Sequence, residues 1–189
     1  MRTVRVYPIT NYQLPITNFQ LVTLQLRQIS VPPGHRVLFH DVSWQEFEAI
    51  LAELGEARAT RIAYSQGTLE IRMPLPEHEV NKEFIGDLVK ILMEELEIER
   101  HCFGSTTFKR KDMAQCIEPD QCFYIQNYDL MIGKKRIDLT VDPPPPDLAI
   151  EVDVTSKTQL DAYEALGVPE LWLYENGKLQ INSSRWEIH

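Results

Sequence analysis

The chain has 189 residues, 43% hydrophobic and 25% charged, with a formal net charge of -9, a size and balance that suit one well-packed core in a single domain. The acidic excess argues against a protein that grips nucleic acid through a broad basic face, because such binding is driven by neutralising phosphates. It leaves room for an enzyme whose carboxylates cluster around a divalent cation, the cation then supplying the positive charge.

In chain order, the first feature is a near repeat of period seven, "ITNYQLPITNFQLV", from Ile9 to Val22. Solenoids need longer units and at least three copies, so residues 1–34 read as a low-complexity N-terminal extension. Pro32, Pro33 and Gly34 mark a break, and a single domain is expected over 35–189. The N-terminus lacks the pattern of a signal peptide, and no run approaches the roughly 18 apolar residues of a membrane span. A cytoplasmic protein with no membrane partner is the expectation.

Ser43 predicts a helix N-cap, with Glu46 completing a capping box, for a helix running to about Leu54. "ARATRIAYSQGTLEIRMP" reads as two alternating strands turning at Gln66-Gly67. From Pro76 to about Ile98, Val80, Phe84, Leu88, Ile91, Leu92 and Leu96 recur at helical spacing and predict the longest helix. Extended stretches follow at 101–110, 117–125 (with an extension towards Leu130) and 147–154. "SKTQLDAYEAL" is a short helix stopped by Gly167, and "ELWLYENGKLQIN" a hairpin turning at Asn176-Gly177. This order predicts an α/β domain: a central mixed sheet flanked by helices, preceded by an N-terminal helix and a β-hairpin. Cys102, Cys116 and Cys122 are an odd number without CxxC or Cys/His finger spacing, so buried free thiols are expected.

The chemistry concentrates in "PDLAIEVDVTSK", residues 146–157. Strand alternation sends Leu148, Ile150, Val152 and Val154 to one face and Asp147, Ala149, Glu151 and Asp153 to the other. An edge strand could leave that acidic row in water, and a plain ion-pair network could also explain it. A strand covered on both faces, by contrast, needs a partner for its carboxylates, and a metal ion is a natural one. "CIEPDQCFYI" places a second carboxylate, Asp120, in an apolar extended setting. Asp120 and Glu151 on neighbouring strands can converge on one Mg²⁺ and so acidify a bound water. Asp147 lies about four residues from Glu151 along one strand, roughly 13 Å, too far to share a metal.

Together, "EPD" at 118–120, "PPDLAIEVDVTSK" at 145–157 and "YEALGVPELWLY" at 163–174 resemble the Uma-type family of restriction endonucleases, abundant in cyanobacteria and part of the PD-(D/E)xK nuclease superfamily. The resemblance covers about Asp41 to the C-terminus and implies a restriction-endonuclease-like core and Mg²⁺-dependent hydrolysis of DNA phosphodiesters, with Mn²⁺ as a substitute. It implies Asp120 and Glu151 as metal ligands. The superfamily's lysine two residues after the glutamate is absent, since Asp153 stands there. Lys157, at the start of the following helix, is the available replacement for orienting water or stabilising phosphorane charge, and Asp153 is a candidate additional metal ligand. The superfamily often adds a glutamate from its first core helix. At about 100° per residue, Glu77 falls within the apolar arc of the long helix and His78 at its edge, which makes both candidates. For Glu77 the competing role is favourable charge at a helix N-terminus. The basic groups "FKRK" and "GKKR" would be solvated turns or, with DNA as partner, phosphate contacts. A homodimer follows from the resemblance to double-strand-cutting enzymes. The alternatives are a binding or regulatory module that keeps the fold without catalysis, and a metal-dependent hydrolase of another phosphate ester.

Overall fold

The structure is a computed structural model whose described residues are 25–134, 137–141, 144–152 and 156–183. The repeat at Ile9 to Val22, Asp153 and the extension to Val154 lie outside them. Ser43 caps α1 (Trp44–Leu54) with both arms of the capping box in place: its Oγ accepts from Glu46 N, and the Glu46 carboxylate accepts from Ser43 N at 2.8 Å. The first hairpin, β2 (Arg61–Ser65) and β3 (Thr68–Arg72), turns at Gln66-Gly67 with φ 43° and 89°. Both values are positive, as the tight turn matching strand twist requires. β1 (Arg36–Phe39) pairs antiparallel with β3. Pro76 opens α2 (Pro76–Glu95) at a position where its missing N–H costs nothing.

Two five-stranded sheets form instead of one. β5 (Phe108–Arg110) and β6 (Gln115–Ile117) complete an antiparallel sheet of order β1-β3-β2-β6-β5. β4 (His101–Phe103), β7 (Gln121–Tyr124), β8 (Leu148–Val152), β9 (Glu170–Glu175) and β10 (Lys178–Ser183) form a mixed sheet of order β10-β9-β8-β7-β4. The mixed sheet is the central one that the element order predicts. Its parallel pair, β8 and β9, is joined by α3 (Lys157–Leu166), which Gly167 ends in the left-handed conformation at φ 72°. The extended stretches at 101–110 and 117–125 are each divided between the two sheets. Pro119, with no N–H to give to a ladder, lies where the chain leaves β6 and enters β7.

The burial pattern shows how the layers stack. α1 covers the outer face of the antiparallel sheet through Phe47, Ile62, Tyr64, Leu69 and Ile71. Between the sheets, Ala63, Ile117, Cys122 and Ala149 pack with Ala162, Tyr163 and Leu166 of α3. α2 covers the other face of the mixed sheet, Ile85, Val89 and Met93 meeting Phe123, Leu148, Ile150 and Val152. β8 is therefore buried on both faces. α2 itself departs from its sequence pattern: Val80, Phe84, Leu88, Ile91, Leu92 and Leu96 are all exposed, while the buried side is His78, Lys82, Ile85, Gly86, Val89 and Met93. The three cysteines are free; Cys116 and Cys122 are buried as expected, whereas Cys102 is exposed on β4, the edge strand of the mixed sheet.

Candidate active site

Strand register assembles the site. β7 and β8 pair Gln121 with Ile150 and Cys122 with Ala149, so one further step sets Asp120 opposite Glu151 on the face towards α3. Both side chains are completely buried. Asp120 Oδ2 accepts from Val152 N at 2.9 Å, which ties the residue after Pro119 to the end of β8.

A cation holds the pair together. Arg72, the last residue of β3, comes from the facing sheet and places its Nη2 2.8 Å from Glu151 Oε2 and 3.3 Å from Asp120 Oδ1. Tyr163 of α3 donates its hydroxyl to Glu151 Oε1 at 2.5 Å, and His78 Nε2 lies 3.0 Å from Asp120 Oδ2. Five elements thus converge: β3, the first turn of α2, the start of β7, the end of β8, and α3. Beside them Ser156 donates to Glu70 Oε2, and the other oxygen of that buried carboxylate, Oε1, has no partner among the described residues.

The two carboxylates respond to this setting in opposite directions. Burial alone would raise Asp120, but the close approach of His78, the Arg72 charge and Val152 N–H outweigh it and hold its pKa below the ordinary aspartate value. Burial and the neighbouring Asp120 push Glu151 well above the usual glutamate value, and Arg72 and Tyr163 do not reverse this. Burial followed by the charge of Glu151 raises the Tyr163 phenol, which keeps it a hydrogen-bond donor. Arg72 loses some basicity to burial but regains more from Glu151 and Asp120. Two carboxylates forced apart in this way are a common mark of functional sites, although ion-pair networks share it.

Of the residues singled out from sequence, Asp120, Glu151 and His78 are brought together. Glu77, next to His78, is exposed and borders a shallow pocket with Val80, Asn81, Tyr174, Asn176 and Gly177, away from the pair. A helix turns about 100° per residue, so one step around the first turn of α2 separates their directions. Lys157 begins α3, but its side chain, like the whole of Asp153, lies outside the described residues. Asp147 serves the local backbone, where its Oδ2 accepts from Ile125 N at 2.8 Å and Gln126 N at 3.0 Å, beyond the end of β7. Glu118 of "EPD" also serves the fold, since it is buried, pairs with Arg58 and accepts from Ile62 N at 3.0 Å and Thr107 Oγ1 at 2.5 Å.

Sequence reasoning missed Arg72, Tyr163 and Glu70. A signal was present in "TLEIR": Glu70 and Arg72 are two apart on a strand whose other residues are mostly apolar, so both point to one face, the pattern that made residues 147–153 conspicuous. Arg61, the cross-strand neighbour of Arg72, sits at the rim with Nη2 3.7 Å from Glu79 Oε1, and Lys82 Nζ lies 2.6 Å from Glu79 Oε2. Arg61 also borders a cleft of about 730 Å³ lined by Arg58, Thr60, Thr107, Lys109 and Glu118, where positive and negative groups alternate. In the basic groups, Lys109 pairs with Glu48 and Arg110 with Asp112. Lys135 and Arg136 lie outside the described residues.

Residues 44–187 match the family described as "Uma2: Putative restriction endonuclease". Among solved structures, the chain is similar to a crystal structure of a "putative nuclease belonging to DUF820" from Anabaena variabilis, at 17% identity and a TM-score of 0.53 over 76% of this chain and 80% of that one. At that identity the likeness shows the fold, which is restriction-endonuclease-like α/β. No curated protein matches the chain.

Proposed function

The chain belongs to the Uma2 family, and from that premise we infer that it is a metal-dependent endonuclease hydrolysing phosphodiester bonds in DNA. The observation that carries the reading is the buried pair of Asp120 and Glu151, whose oxygens are both aimed at one positively charged atom, Arg72 Nη2.

That geometry supports a divalent ion. The guanidinium nitrogen stands where a cation shared by two carboxylates would stand, and hard carboxylate oxygens are the donors Mg²⁺ prefers, with Mn²⁺ as a substitute. Among the described residues no group of three or more His, Cys, Asp and Glu side chains is arranged to hold a metal. Asp120 and Glu151 would be the protein ligands, with Asp153 a proposed third and the remaining positions left to water and phosphate oxygens, the usual Mg²⁺ arrangement. A cation held there would supply Lewis acidity, lowering the pKa of a bound water and offsetting charge on the phosphoryl group.

The chain's own residues prepare the ligands. His78 and Val152 N–H fix the Asp120 carboxylate and favour its ionised form, while Tyr163 orients Glu151 from the opposite side. Arg61 and Lys82 at the rim, with Lys157 at the start of α3, are the proposed phosphate-facing cations, Lys157 in the role of the lysine absent at 153. Cutting both strands calls for two sites, so a homodimer is the proposed assembly, tested by mass in solution. No described helix is long and apolar enough to cross a membrane.

A second reading is favoured by the same arginine. Arg72 neutralises the pair from within the protein, as a fold retained for binding without catalysis could do. Incubation of purified protein with plasmid DNA and Mg²⁺ or Mn²⁺, beside EDTA, Asp120→Ala and Glu151→Ala, separates the two. We expect metal-dependent nicking and linearisation that both substitutions abolish. Absence of cleavage with either metal, or cleavage unchanged in both variants, overturns the enzyme reading.

A further inference from the structure

Arg72 is joined to the carboxylate pair in a way that an optimised structural ion pair is not. Arginine usually meets a carboxylate with two nitrogens in parallel, the geometry that makes the contact strong. Here a single nitrogen, Nη2, serves two carboxylates of different strands, and the buried Nε has no hydrogen-bond partner among the described residues. Burial points the same way. Asp120 and Glu151 have no exposed surface, whereas the Arg72 side chain retains 10% of its own. For water, a metal ion or a phosphate to reach the pair, something must move, and Arg72 is the one side chain of the three that keeps any exposed surface.

We propose that Arg72 is a built-in counterion that occupies the Asp120–Glu151 site in the metal-free protein and is displaced when a divalent cation binds. Its position on β3 suits this role. The side chain crosses from one sheet to carboxylates of the other, so its backbone anchor is independent of the strands that carry the ligands. Arginine stays charged at any working pH, so the exchange is one of charge for charge and not of proton for metal. Glu70 lies two residues before Arg72 on the same face, and its charge acts on the guanidinium. Its free buried Oε1 is an acceptor available to the guanidinium once the carboxylate pair is given up.

The inference rests on the reading of Asp120 and Glu151 as metal ligands, and its test reads binding separately from cleavage. Mn²⁺ is titrated by calorimetry into the wild type, Arg72→Gln, Arg72→Lys and the double variant Arg72→Gln/Glu151→Gln. If the arginine holds the site for nine-tenths of the time or more, its removal tightens the apparent Kd about tenfold or more, because the competent fraction rises accordingly. Arg72→Lys, which keeps a cation, should stay near the wild-type value, and the double variant should lose the gain. Should Arg72→Gln fold poorly without metal, melting in EDTA and in Mn²⁺ carries the same information: the rise in Tm caused by Mn²⁺ should be larger in Arg72→Gln than in the wild type, since tighter binding to the folded state adds stability.

Equal or weaker Mn²⁺ binding by Arg72→Gln, an equal rise in Tm, a gain that survives in the double variant, or no binding in any protein each overturns the proposal. Wild-type cleavage of plasmid DNA combined with unchanged affinity in Arg72→Gln removes the counterion role and leaves the nuclease reading standing. Tighter binding by Arg72→Gln without wild-type cleavage removes the nuclease reading and leaves the counterion role.

Discussion

The carboxylate site and the outer arc of α2 are filled in opposite senses. In the site, Asp120, Glu151, Arg72, His78 and Tyr163 are buried. On α2, six apolar residues from Val80 to Leu96 stand 51 to 70% exposed. Hydrophobicity would assign the reverse. Burying charge is tolerable when every charge meets an opposite charge or a hydrogen bond, and the site meets that condition for all but a few atoms. Leaving apolar surface in water costs no broken hydrogen bond, so a helix can carry it. The two regions share α2: His78 and Lys82 lie on its buried side, and Val80 and Phe84 between and beyond them face out.

The contrast can be broken at five points, from the largest expected effect to the smallest. Arg72→Met leaves two adjacent buried carboxylates without a cation, and should cost about 3–5 kcal/mol in urea unfolding with EDTA present. A cost under ~1 kcal/mol would mean that water already reaches the pair. Ile85→Ala, on the side of α2 that meets the mixed sheet, should cost about 2–5 kcal/mol in the same measurement. Tyr163→Phe withdraws a donor from a buried carboxylate and should cost about 1–3 kcal/mol, while the far-ultraviolet circular dichroism of the folded protein stays unchanged.

The fourth test follows the opposed pKa shifts. Glu151 is raised in the folded protein, so folding carries a cost that begins as the pH exceeds its ordinary value of 4.5 and grows until the folded pKa is passed. Glutamine carries no such cost. The Tm of Glu151→Gln relative to the wild type should therefore rise as the pH climbs above 4.5 and level off only once the folded pKa is passed. Asp120 is lowered, so its contribution is complete above its ordinary value of 3.8 and disappears as the pH falls through the folded pKa. Asp120→Asn should accordingly cost more near neutrality than in acid. Melting curves from well below pH 3.8 up through neutrality check both signs, and parallel trends in the two variants would refute the opposed shifts.

The smallest effect is expected on the outer arc. Phe84→Ser should change stability by no more than ~0.5 kcal/mol, as for an exposed position without special contacts. A loss comparable to that of Ile85→Ala, read by the same urea unfolding, would show that this arc is covered in solution.

The α1 cap, both tight hairpin turns, the Pro76 start of α2 and the Gly167 stop of α3 were legible because each depends on residues within about four positions of one another. The strand at 148–152 and its candidate partner carboxylate Asp120 were also readable, since alternation and a Pro-Asp break are local patterns, but whether that strand was covered on both faces stayed open until the layers were seen. The buried side of α2 was not. Its six spaced apolar residues satisfy the helical period, but so do Ile85, Val89 and Met93, and periodicity alone does not say which set meets a sheet.

What the sequence by itself determined is therefore the helices, the two hairpins, their turns and caps, and the two acidic positions, all governed by backbone geometry and side-chain period over short distances, whereas β1 and the division of residues 101–125 between two sheets were not read from it. What only the tertiary structure decided is which cation stands between the carboxylates and which face of α2 is covered. Arg72 and Glu151 are joined across two sheets and His78 reaches Asp120 from a helix, and contacts between residues so far apart in the chain depend on how the layers stack, which no local period encodes.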